Sequence, residues 1–181
     1  MIFPPKRIVL KDGREVTLRT AEESDAGELC RYLRTVSTET DFLIRGVDDC
    51  DVPEEEERGF IRRMRESGND LMITAFAGER IVANCEIGFH ERKKTCHRAG
   101  IGIAVISGYW DCGLGTALMQ ELIAAARDRG ISQVELAFIE GNDRARHLYE
   151  KLGFAITGEI PDAICLPDGT MRKEVFMRLC L

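Results

Sequence analysis

The sequence predicts an α/β (α+β) fold: a mixed, mostly antiparallel, twisted sheet flanked by helices on both faces. Three observations predict it. β-type runs and amphipathic helical stretches intermix along the 181 residues. Two β-rich runs, 71–77 and 81–89, are joined by Gly78-Glu79 alone, which demands an antiparallel hairpin. A strongly amphipathic helix from about Leu114 to Arg129 separates the runs 99–106 and 133–139. A crossover of that length makes those two strands parallel or nearly so.

The remaining elements follow in order. Residues 15–20 alternate after the turn at 11–14 and read as the second arm of an opening hairpin. Ser24 or Asp25 can cap a helix through Thr35 that puts Leu29, Tyr32, Leu33 and Val36 on one face. Residues 37–50 have no clear period and read as a loop. Pro53 opens a second helix with the acidic first turn Glu54-Glu55-Glu56-Glu57, complementing the positive end of its dipole. Gly68-Asn69 ends it. Gly130 stops the long helix, Asn142 opens another, and Gly153 closes that one. The runs 154–160 and 174–179, either side of the turn Pro167-Asp168-Gly169, complete the sheet.

Composition narrows the function classes. A chain of this length is one domain, residues 1–181, with 44% hydrophobic and 31% charged residues, as in ordinary globular proteins. A net charge of −6 with no basic face argues against nucleic acid. No stretch approaches a membrane span and the N-terminus lacks an apolar leader core, so a soluble cytoplasmic protein is expected. The seven cysteines are odd in number and none has C-x-x-C spacing, which argues against a disulfide framework and against a metal site.

Two segments carry chemistry. Trp110-Asp111-Cys112-Gly113-Leu114-Gly115-Thr116 lies between a β-run and a helix. Glycines there let the backbone approach a ligand, and the free amides of the helix start favour an anion such as a pyrophosphate. Taken alone, this segment reads equally as a tight strand-to-helix turn. A dinucleotide loop would need a third glycine where Leu118 stands, and a P-loop would need a lysine after Gly115. The second segment, residues 142–154 (NDRARHLYEKLGF), places Asn142 at a helix start, Ala145, Leu148 and Leu152 on an inward stripe, and Tyr149 near its edge.

Together the segments resemble the GNAT acetyltransferases, whose loop reads R/Q-x-x-G-x-G/A and whose second motif reads N-x-x-A-x-x-L-Y-x-x-x-G-F. The resemblance covers roughly Arg19 to the C-terminus and is specific from about Gly100 onward. Trp110 stands where Arg or Gln is usual, a departure that leaves backbone binding intact. The resemblance implies a GNAT-like fold and acetyl-CoA as co-substrate. It implies that the strand end Ile103-Ala104-Val105 and the loop from Trp110 through Asp111, Cys112, Gly113, Leu114 and Gly115 to Thr116 bind it. It further implies that Asn142 contacts the cofactor near the thioester, that Ala145 also binds the cofactor, and that Tyr149 binds the cofactor and is the general acid for the departing thiolate.

Direct transfer also needs a donor for the thioester carbonyl oxygen, and a backbone amide around Val105 would serve. A base for the amine is less defined. Glu86 is the first candidate, a lone carboxylate among apolar and small residues; His97 and Glu140 follow. The acceptor expected is a small-molecule cationic amine. Nine acids against one base, Arg45, between residues 39 and 57 would form an attractive rim, although the same run reads as a solvated loop and helix start. A protein N-terminal or lysine acetyltransferase and a non-catalytic CoA-binding module are the alternatives. Family habit also allows a homodimer.

Overall fold

The computed structural model describes residues 1–181, the side chain of Val47 excepted. Eight strands form one sheet: β1 (Lys6–Val9), β2 (Glu15–Arg19), β3 (Asp70–Ala77), β4 (Arg80–Phe89), β5 (Arg98–Val105), β6 (Gln133–Ile139), β7 (Ala155–Cys165) and β8 (Met171–Cys180). Four α-helices accompany them: α1 (Ala26–Thr38), α2 (Glu54–Glu66), α3 (Leu114–Asp128) and α4 (Asp143–Lys151). The sheet order is β1-β2-β3-β4-β5-β6-β8-β7. Every neighbouring pair is antiparallel except β5 and β6, as the long crossover through α3 requires.

Both faces of the central strands are covered. Six successive residues of β3, Leu71 to Phe76, are buried, which one face alone cannot achieve. Helices α1 and α2 pack on each other and on β4 and β3, while α3 lies against β4 and β5. From α3, Leu114, Leu118 and Leu122 are fully buried at the spacing that lines one helical face.

Some local expectations change. Helix α1 is preceded by a 3-10 turn, Glu23–Asp25, and runs to Thr38. Asp25 does not cap α1. Its carboxylate accepts the Glu22 amide at 2.7 Å and two guanidinium bonds from Arg19 at 2.6 and 2.9 Å, because an arginine from β2 out-competes a weaker cap. Within the expected loop 37–50, Val47–Cys50 form a second 3-10 turn. Strand β7 continues past Pro161, which lies in a register shift between Ile160 and Ile164 on the sheet's edge, where a missing amide breaks no ladder. All seven cysteines are free thiols.

Leu118 is fully enclosed under the sheet, so Leu118→Ala is expected to lower stability by about 2–5 kcal/mol in urea unfolding.

Candidate active site

The site begins where two strands separate. β5 pairs with β6 through Arg98↔Gln133, Ala99↔Val134 and Gly100↔Glu135, and the pairing stops there. β5 stays bonded to β4 as far as Val105↔Ala83. The segment 101–105 is therefore laddered on one edge only. The Ile106 amide donates to Val82 of β4 at 3.1 Å, so by strand alternation Ala104 faces β4 while Ile103 and Val105 turn their main-chain groups to the gap beside β6. The closed end is pinned by Arg98, whose guanidinium grips the Glu135 carboxylate at 2.5 and 2.6 Å. That cation holds the Glu135 carboxyl below its ordinary range.

The glycine loop stands at the open end. Gly113 has φ +91°, a left-handed conformation that a side chain would strain, and it forms the N-terminal cap of α3. No side chain caps α3, so the amides of its first turn, Leu114, Gly115 and Thr116, stay free for an anion. Gly115 has a separate purpose: a Cβ there would lie 3.2 Å from Leu148 Cδ2, so glycine lets α3 and α4 approach. The loop is braced from three sides. The Lys11 amide donates to the Cys112 carbonyl at 3.0 Å. Arg144 of α4 pairs with Asp111 at 3.2 Å and stacks 4.2 Å over the Trp110 ring. Trp110 donates its indole N–H to the Val105 carbonyl at 2.7 Å. The off-pattern residue thus ties the loop to the strand end and leaves the Val105 amide unpaired by that bond.

Helix α4 follows β6. Asn142 caps it, its side-chain oxygen accepting the Ala145 amide at 3.2 Å. Tyr149 is 6% exposed, with its ring 6.1 Å from both Phe138 and Phe154. Burial alone pushes its phenol up to about 12, with no hydrogen bond contributing.

The base candidates separate by position. Glu86 lies opposite Gly102, on the same face and against it: a Cβ on Gly102 would be 3.6 Å from Glu86 Cγ. Desolvation first, and then the charge of Asp70, raise its carboxyl above the ordinary range, with Arg45 opposing. His97 precedes β5 at its closed end, about 26 Å along the strand from Val105 at ~3.3 Å per residue. Glu140 at the end of β6 is engaged by Lys173, whose amide donates to it at 3.4 Å.

The acidic stretch is largely occupied within the chain. Glu39 accepts the Ser107 amide at 2.6 Å and its hydroxyl at 2.8 Å. Asp51 pairs with Arg34, Glu54 and Glu55 with Arg58, and Glu57 with Arg45. Those contacts leave less free charge than the sequence count implies. The connection between α1 and α2 also straddles the gap, since Phe42 lies where a Cβ on Gly141 would meet it at 3.5 Å.

Two hollows lie elsewhere. One, of about 510 Å³, sits at the closed end of β5 and β6 among Arg98, Glu135, Thr157, Phe176 and Arg178. The other, of about 830 Å³, lies by α1 and β2 among Arg19, Asp25, Glu28 and Phe76. Neither borders residues 103–105.

The sequence model of the acetyltransferase (GNAT) family matches residues 36–154. The chain belongs to that family. It is an acetyl-CoA-dependent N-acetyltransferase in the general sense that membership carries. The GNAT acetyltransferase from Streptococcus pneumoniae is 31% identical, covers 92% of this chain and 99% of its own, and superposes with a TM-score of 0.84. The L-amino acid N-acetyltransferase AaaT of Escherichia coli K12 is 27% identical over 145 residues, 80% of this chain and 85% of that protein. The fold is also that of yncA from Salmonella typhimurium, a protein solved with its cofactor acetyl-CoA, at 19% identity and a TM-score of 0.77, covering 92% and 94% of the two chains.

Gly113→Ala is expected to cost about 1–2 kcal/mol from its left-handed backbone. It is also expected to weaken CoA binding, as thermal unfolding and calorimetric titration with CoA would register.

Proposed function

We propose that this GNAT enzyme moves an acetyl group from acetyl-CoA to the primary amine of a small molecule by direct attack on the thioester. The observation that carries this reading is the one-sided ladder of β5, with Ile103 and Val105 turned to the gap beside β6. In this reading the Ile103 main chain takes the pantetheine arm. The first-turn amides of α3 take the pyrophosphate, and Trp110, Asp111 and Cys112 shape the loop around it. Asn142 and Ala145 wall the thioester end. The Val105 amide donates to the carbonyl oxygen as negative charge develops there, a fixed dipole that needs no reorganisation during reaction.

Glu86 accepts a proton from the incoming ammonium, the C–N bond forms, and the tetrahedral nitrogen loses its second proton to solvent. The C–S bond breaks as Tyr149 donates its phenolic proton to the departing sulfur, and Glu86 then releases its proton to solvent. A phenol near 12 keeps its proton at neutral pH, so the donor form is present whenever a thiolate, with a reference value of about 8.5, departs. Solvent then returns a proton to Tyr149. The first acceptor to test is a free α-amino acid. The similarity to the E. coli L-amino acid enzyme over four-fifths of the chain supports that choice.

Thiol release from acetyl-CoA across free amino acids, polyamines and short peptides tests the acceptor. Turnover with at least one free amino acid is expected. Turnover with peptides alone, or none despite CoA binding, contradicts the reading. Tyr149→Phe is expected to lower kcat by roughly 100-fold or more while acetyl-CoA affinity stays within about 3-fold. A base acts only when deprotonated, so the raised carboxyl of Glu86 moves the acid limb of the kcat/KM profile above the reference of about 4.3. Glu86→Gln is expected to lower the rate and abolish that limb; an unchanged pH profile removes Glu86 from the role.

A further inference from the structure

Tyr32 lies on the inward face of α1, 3% exposed, and its hydroxyl ends in the β4–β5 ladder. It donates to the Ala104 carbonyl at 2.8 Å and accepts the Asn84 amide at 3.2 Å. Ala104 and Asn84 are the facing residues of that rung, one step before the strand end. The Asn84 side chain is itself fixed, since its Oδ1 accepts the Thr74 hydroxyl at 2.7 Å. A helix side chain therefore enters a sheet ladder at a single rung, beside the gap.

The geometry of one peptide unit gives this contact its meaning. The carbonyl of Ala104 and the amide of Val105 belong to the same planar trans group, so their C=O and N–H bonds point in opposite directions. The carbonyl faces β4 and the phenol, and the amide faces the gap. A donor on the carbonyl draws density from the peptide nitrogen and strengthens its N–H as a donor, the cooperativity of chained hydrogen bonds in a low-dielectric interior. The anchor also fixes where that N–H points. Burial raises the phenol further above its ordinary value, so it stays protonated and stays a donor.

We infer that Tyr32 is a positioning residue for acyl transfer, its hydroxyl holding and polarising the peptide unit whose Val105 N–H meets the thioester carbonyl. The inference rests on the reading of Val105 as the oxyanion donor given above. Tyr32 touches no reacting atom and works through that one peptide.

Tyr32→Phe keeps the ring and removes only the hydroxyl. It is expected to lower kcat by about 3- to 10-fold with the KM for acetyl-CoA within about 2-fold. Infrared difference spectra with acetyl-CoA carrying ¹³C at the acetyl carbonyl supply the readout that a purely structural role would not move. On binding to the wild type the thioester band is expected to move to lower frequency, and Y32F is expected to lose part of that displacement. A full displacement in Y32F overturns the role of Tyr32 and leaves the Val105 reading standing. No displacement in the wild type overturns both. If Y32F does not fold, the Ala104 carbonyl carbon of the wild type decides by NMR: a resonance downfield of its β5 neighbours is expected, and an ordinary strand value overturns the inference.

Discussion

The parting of β5 from β6 after Gly100↔Glu135 is the constraint on which the rest of the site depends. A strand bonded along one edge leaves a row of main-chain donors and acceptors unpaired, and in an interior such a row is costly unless something completes it. Here the row faces a gap bounded by the glycine loop, the start of α4 and the connection between α1 and α2. The Arg98–Glu135 pair closes the gap at one end. Trp110 and the Asp111–Arg144 pair hold the other end at a set distance from the strand. In the proposed reading the pantetheine arm, an extended amide-bearing chain, completes that edge as a third strand.

Several features that look independent converge on this edge. The left-handed Gly113 and the uncapped first turn of α3 put free amides just beyond it. Gly115 draws α4 close, and α4 carries Tyr149. Glu39 fastens the end of α1 to Ser107, directly after β5, so the helix that supplies Tyr32 is tied to the strand it supports. Helix, loop and strand are thereby coupled through short contacts, and the proposed chemistry depends on positioning as much as on acid–base groups.

Much of this was legible in the sequence where the signals are local. The hairpin around Gly78-Glu79, the amphipathic run of α3 and the cap at Asn142 each depend on neighbours within a few residues, and each forms as expected. The parallel pairing of β5 and β6 followed from the length of the crossover alone. What the sequence could not convey is long-range. Tyr32 read as one more apolar position on a helix face, because its partners lie 52 and 72 residues away. Trp110 read as a departure from a motif, and its bond to Val105 gives it a purpose only once the loop folds back. The acidic stretch read either as an attractive rim or as a solvated loop and helix start, because Arg34 and Arg58, which pair with parts of it, lie in helices on either side. The insertion of β8 between β6 and β7 depends on pairing that no local pattern encodes.

The central claim, that the unpaired edge of β5 and the first turn of α3 form the acyl-CoA surface, is tested most directly by titrating ¹⁵N-labelled protein with CoA and following amide resonances. The largest changes are expected at Ile103, Val105 and Leu114 through Thr116. Changes concentrated instead around Arg98, Thr157 and Arg178, the hollow at the closed end of β5 and β6, would contradict it.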